Sequence, residues 1–211
     1  MSWLCELIEQ NSPEPRQRLE LSQQFLDQLQ VYHLPSDSTL LNDFCDLALQ
    51  WLSGSNYKVA LNALEILDLA IRVSGDVLAP YLIERTPALV ERLGDAKQSV
   101  RDSAVQLLTN FANAPHSNVQ IVFEKVALGL THRQWLVKIG AMQVLKSILE
   151  ENKIFVEVQV NRITPTLCKL MSDPNGEVRE AATNTLVYIF CQYGEHMTLS
   201  IRQRQLIPEQ K

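Results

Sequence analysis

Lysine and arginine recur in one local setting in this chain, a polar turn that leads into an apolar helix. Lys58 stands in Ser53-Gly54-Ser55-Asn56-Tyr57-Lys58-Val59, and Lys97 and Arg101 in Asp95-Ala96-Lys97-Gln98-Ser99-Val100-Arg101. Arg133 and Lys138 stand in His132-Arg133-Gln134-Trp135-Leu136-Val137-Lys138, and Arg179 in Asp173-Pro174-Asn175-Gly176-Glu177-Val178-Arg179. Arg16 and Arg18 hold the corresponding place near the start. Acids on these turns are fewer, and two of them, Asp95 and Asp173, read as helix caps. A helix N-terminus favours acidic side chains by about 0.3–1 kcal/mol and disfavours basic ones. Repeated base at that place is therefore chemistry aimed outside the chain, an electrostatic surface for an acidic partner. Lys58 reads as a partner contact. Arg101 and Arg179 sit deeper in their helices and fit two roles, contact with a partner or bonds to their own and neighbouring turns.

Two aromatics share the setting. Trp135 lies in a polar turn between Arg133 and Lys138, the composition of a binding hot spot. The alternative is that its ring folds back over the neighbouring helix, and Tyr57 carries the same two readings. Trp3 and Trp51 lie on apolar helical faces and read as core.

Other chemistries find no footing. The histidines (His33, His116, His132, His196) are scattered through turns without the spaced partners of a metal site. No phosphate-cradling glycine loop and no G-x-S-x-G elbow occurs, so neither a catalytic site nor a cofactor is expected. Cys5, Cys45, Cys168 and Cys191 form no C-x-x-C pair; the last three fall in helical patterns and read as reduced, mostly buried thiols of a cytosolic protein. The net charge of −5 argues against general nucleic-acid binding. No signal peptide is visible in Met1-Ser2-Trp3-Leu4-Cys5-Glu6-Leu7, and no apolar run approaches the ~20 residues of a membrane span. A monomer is expected.

What positions the cations is a repeat. Val59, Val100, Val137 and Val178 follow one another at steps of 41, 37 and 41 residues, each with a helix on either side of its turn. A period of about 40 is that of HEAT-type helix pairs, which stack into a solenoid with equivalent turns along one edge. The expectation is an all-α solenoid of about five pairs, covering roughly 1–33, 38–74, 77–114, 117–151 and 155–194, with 195–211 as a partial cap. Gly75 and Gly194 read as helix stops. Pro80, Pro87 and Pro165 fall inside helical patterns; Pro87 is expected to kink its helix or start it afresh, and Pro165 to be tolerated only with a kink.

Three stretches carry a family resemblance: Trp51-Leu52-Ser53-Gly54-Ser55-Asn56-Tyr57-Lys58-Val59, Leu89-Val90-Glu91-Arg92-Leu93-Gly94-Asp95-Ala96-Lys97-Gln98-Ser99-Val100-Arg101, and Ser172-Asp173-Pro174-Asn175-Gly176-Glu177-Val178-Arg179-Glu180-Ala181-Ala182. In their order and separation the chain resembles a TOG domain, most of all the first TOG domain of the CLASP (cytoplasmic linker-associated protein) family. The resemblance implies a flat paddle of HEAT repeats whose intra-repeat turns face tubulin. It also implies a microtubule regulator that suppresses catastrophe, promotes rescue and acts at plus ends, the cell cortex and kinetochores. The tubulin-facing positions it implies are Asn56, Tyr57, Lys58, Lys97, Arg101, Trp135, Lys138 and Arg179. The sequence departs from the family pattern in three places. The first turn, Glu14-Pro15-Arg16-Gln17, lacks an aromatic; Leu136 and Ile139 stand where related fourth turns carry charge; and a full sixth pair is missing. A different class of function also fits, a scaffold of TOG fold that docks a non-tubulin protein or pairs with itself.

Overall fold

A computed structural model describes residues 2–152 and 156–194, with the side chains of residues 156–158 excepted. The expected cap at 195–211 lies outside the described residues. In order the helices are α1 (Trp3–Glu9), α2 (Pro15–Val31), α3 (Ser38–Ser53), α4 (Tyr57–Glu91), α5 (Gln98–Asn113), α6 (Val119–Ala127), α7 (Trp135–Glu151), α8 (Val156–Leu170) and α9 (Gly176–Tyr193). Short 3₁₀ turns at Arg92–Gly94 and Leu128–Thr131 lead out of α4 and α6. No strand occurs among the described residues.

Helix starts are written in side chains. Asp37 caps α3, its carboxylate accepting from the Thr39 and Leu40 amides at 2.9 and 3.1 Å. Asn56 does the same for α4 and Asn175 for α9, each satisfying two of the amides that a helix start leaves without partners. Apolar residues three and four apart then turn one stripe of each helix inward. In α5 that stripe is Val100, Ala104, Leu107, Leu108 and Phe111, all fully buried.

The stack has two layers. One holds α1, α3, the second half of α4, α6 and α8; the other holds α2, the first half of α4, α5, α7 and α9. Between them, near the start of the chain, Phe25 lies 6.0 Å from Phe44 and 6.0 Å from Trp51, ring centre to ring centre. Trp51 is buried as expected, and its indole donates to Asn11 Oδ1 at 3.1 Å. Trp3 is half-buried and packs on the same core.

Polar side chains tie successive repeats at a separation of about one period. In the first layer Asp46 pairs with Arg85 (2.7 Å), Glu84 with Lys125 (3.9 Å) and Glu124 with Arg162. In the second the ties are amides: Asn62 donates to Ser22 (2.6 Å), Asn110 to Asp68 (2.7 Å) and Asn152 to Asn113 (2.5 Å).

The fold corrects several expectations about punctuation. The stop expected at Gly75 falls one residue earlier: the 35 residues of α4 are two helices that meet at a kink on the boundary between two repeats. Its single non-helical residue is Ser74, at φ −144° and ψ 32°. The bend is held by Ser74 itself, whose buried hydroxyl accepts from the Leu34 amide at 2.8 Å. Pro80 and Pro87 lie inside α4 without interrupting it, and α8 likewise runs through Pro165. Gly194 does end α9, at φ 62°, a backbone that glycine adopts at little cost. Cys191 is exposed, whereas Cys45 and Cys168 are buried and Cys5 half-buried; all four are free thiols.

Candidate binding edge

The turns that enter α4, α5, α7 and α9 share a frame fixed by their buried valines. In the last three, five residues before the valine, a side chain accepts from the main-chain amide two residues on. Asp95 Oδ1 takes the Lys97 amide at 2.8 Å, His132 Nδ1 the Gln134 amide at 3.1 Å, and Asp173 Oδ1 the Asn175 amide at 2.9 Å. Asp95 and Asp173 are therefore not caps; each braces the turn two residues ahead of the cap position, which Lys97 and Asn175 occupy. Asn56 is a cap, accepting from the Lys58 and Val59 amides at 3.0 and 3.4 Å.

The arginine after the valine closes the turn. Arg101 donates to the Asp95 and Ala96 carbonyls at 2.7 and 3.3 Å, and Arg179 to those of Asp173 and Pro174 at 2.8 and 3.0 Å. Arg18 makes the same six-residue reach to the Ser12 carbonyl at 2.5 Å. These guanidiniums satisfy carbonyls that the turn would otherwise leave open, so of the two roles open to Arg101 and Arg179 the structure shows the one within their own turns.

A second set of bonds joins turn to turn. Arg92 donates to the Leu52 carbonyl at 3.1 Å, and Gln134 to the Gly94 carbonyl at 2.6 Å. Lys138 Nζ meets Asp173 Oδ2 at 2.6 Å, with side chains only 18% and 9% exposed. The Lys138 hydrogen bond and then the Asn175 amide hold the Asp173 carboxyl below its ordinary range. Lys97 lies over the Tyr57 ring, 5.2 Å from its centre, a cation–π contact between two turns. The result is one continuous, cross-bonded edge. Gln134 and Arg92 were not legible as its ties, because their acceptors are main-chain carbonyls 40 residues away.

What this edge leaves available lies in the turns entering α4, α5 and α7. Lys58 is exposed and has no ion-pair partner among the described residues; Tyr57 is 40% exposed, and Lys97, itself exposed, rests on its ring. Arg133 is also exposed. Trp135 is only half-buried and packs against the core, so the ring lies over neighbouring helices instead of standing free. Leu136 and Ile139 are half-buried beside it. No cluster of three His, Cys, Asp or Glu side chains that could hold a metal occurs among the described residues, and no described helix is long and apolar enough to cross a membrane. Burial pushes the Cys45 thiol up to about 12, far from a reactive thiolate.

Paired helices at a period near 40, stacked in two layers with their turns cross-bonded along an edge, define a HEAT-repeat solenoid. The family model described as the EF3 N-terminal HEAT repeat matches residues 43–186. Protein CLASP-1 of Caenorhabditis briggsae is 37% identical over 213 residues, which takes in 100% of this chain and 16% of the relative. The structure described as "Crystal Structure of MAST/Orbit N-terminal domain" superposes with a TM-score of 0.83 at 27% identity, covering 96% of this chain and 89% of the other. A further structure, "TOG-tubulin binding specificity promotes microtubule dynamics and mitotic spindle formation", superposes at 0.69 and 22% identity over 94% of this chain and 79% of the other, and shows the shared fold. The chain belongs to the HEAT-repeat proteins and, within them, is a TOG domain of the CLASP family. No catalytic family is indicated.

Proposed function

We propose that this chain is a non-enzymatic tubulin- and microtubule-binding module of a CLASP-like regulator, and that it binds through the edge of intra-repeat turns. Residues 1–211 are taken as one such module. The observation that carries the reading is the set Tyr57, Lys58 and Lys97: an exposed aromatic and two outward cations on adjacent cross-bonded turns of a TOG fold. Asn56 and Arg101 support it by fixing the backbone of those turns, Arg179 by fixing that of the fifth, Lys138 by joining the fourth turn to the fifth, and Trp135 by offering part of its ring at the edge. Placement on microtubules, at plus ends, the spindle and kinetochores, would follow from the companion parts of the protein, since the chain spans 16% of its nematode relative.

The test is binding to free tubulin and to stabilised microtubules at low and moderate salt, wild type beside a Lys58→Glu, Lys97→Glu double variant. Salt-sensitive binding that falls at least tenfold in the variant is the expected result. Equal binding by both proteins would refute the edge as the working surface.

A second reading is favoured by one specific observation: Lys138 of the fourth turn and Arg179 of the fifth are engaged inside the molecule, by Asp173 and by the carbonyls of its own turn, which leaves Arg133 as the exposed cation there. That leaves a footprint centred on the turns entering α4 and α5, with Arg133 beside them, which also suits a smaller acidic protein partner docked on a TOG-fold scaffold. Wild-type protein that ignores both forms of tubulin would favour this reading.

A further inference from the structure

Away from the turns, α2, the first half of α4 and α5 enclose a groove of about 390 Å³. Its lining differs in character from the edge. Half-buried Leu26 and Leu69 form an aliphatic strip, and the exposed amides of Gln23, Gln30 and Gln106 stand around it. Glu65 projects into it, and Asp68 lies at its base, 8% exposed and held in place by the Asn110 amide at 2.7 Å. Two more acids flank it on the same helical stripes. Asp27 is one turn along α2 from Gln23, which donates to it at 2.8 Å, and Asp102 is one turn before Gln106 on α5. Against these four acids the lining offers one cation, Arg72. Arg72 meets Asp68 at 3.1 Å, but its side chain is 60% exposed. The Arg72 guanidinium thus stands mostly in water and is free to swing aside, so an incoming cation can take its place at Asp68.

The shape selects the occupant. Adjacent helices lie ~8–10 Å apart, so three of them span roughly 20 Å. An extended chain rising ~3.3 Å per residue crosses that width in about six residues. Glutamine amides offer both a donor and an acceptor, as a peptide backbone requires, and an aliphatic strip between acids accepts a lysine or arginine stem while its head reaches a carboxylate. We infer that this groove docks an extended, basic peptide segment of a protein partner, with its backbone read by the glutamines and alternate cationic side chains by Asp68, Glu65 and the flanking aspartates. This surface is separate from the edge of turns and does not depend on tubulin binding there.

The probe is a fluorescent eight-residue peptide of alternating lysine and serine, titrated into the 211-residue protein, with a glutamate–serine peptide as control and spermine as a competitor of equal charge. The expected result has four parts: binding of the lysine peptide, none of the glutamate peptide, at least tenfold weaker binding by a Glu65→Lys, Asp102→Lys double variant, and unchanged binding by Lys58→Glu. A thermal melt shows whether the double variant is folded. Independently of it, amide chemical shifts of the wild type on adding peptide should move on α2, the first half of α4 and α5. Absence of wild-type binding, shifts confined to other helices, or an undiminished double variant would each overturn the proposal. So would displacement by spermine at equal concentration, since charge alone would then account for binding.

Discussion

At the scale of single residues, the structure separates side chains that hold the edge from those that face outward. Gly94 belongs to the first kind. A Cβ there would come within 2.5 Å of Gln134 Oε1 and 2.6 Å of Val137 Cγ2, so the close approach of the third turn to α7 requires a residue without a side chain. Gly94→Ala should cost about 1–3 kcal/mol by overpacking, and should also displace the Gln134 bond to the Gly94 carbonyl. Denaturant unfolding of the variant checks this; an unchanged midpoint would mean the turn can move. The Leu93-Gly94-Asp95-Ala96-Lys97 segment was visible in sequence as specific, but the reason for its glycine was not, since the atoms it must clear lie 40 residues on. Lys58 was legible as an exposed cation, because a place on a polar turn is all that exposure needs. Arg179 was legible as a cation with two possible roles, and its own turn's carbonyls decide between them; Lys138 was legible as a cation at the edge but not as an engaged one, because the aspartate it meets is brought to it by tertiary geometry.

At the scale of elements, the helices were readable from their apolar periodicity and their joins were not. Local rules placed a stop at Gly75, and α4 breaks beside it at Ser74; they also placed an interruption at Pro87, where the helix runs on. Ile71 and Leu78 on either side of the bend are both buried, so the break turns the chain while both stay in the core. The bend depends on the Ser74 hydroxyl, which answers the Leu34 amide in a buried setting. Ser74→Ala would leave that amide without a partner, at a cost of about 1–3 kcal/mol. It should also speed exchange of the Leu34 amide more than that of amides within α5. A stability unchanged within a few tenths of a kcal/mol would show that the chain finds another acceptor.

At the scale of the whole molecule, a solenoid is held by contacts between neighbours, so damage should stay local before it spreads. The exposed ion pairs of the first layer, such as Glu124 with Arg162, are individually worth ~0.2–1 kcal/mol and are weak anchors. The Lys138–Asp173 pair is different, being largely shielded from water and joining the fourth repeat to the fifth. Lys138→Ala leaves the Asp173 carboxylate with only its Asn175 amide, and a hydrogen bond to a charged group contributes about 1.5–3 kcal/mol. The acid dependence follows from the direction of the Asp173 shift. Its folded value lies below the ordinary 3.8, so the pair's contribution is present above that value and disappears as pH falls through the lower, folded one. The stability gap between wild type and Lys138→Ala should therefore be full at neutral pH and close in strong acid, where the wild type has lost the pair as well. Because the bond joins neighbours, hydrogen exchange in the variant at neutral pH should quicken first in α8 and α9, with α2 and α4 unchanged. Uniform quickening across all helices would mean that the stack opens as one cooperative unit, and the nearest-neighbour account of this edge would fail.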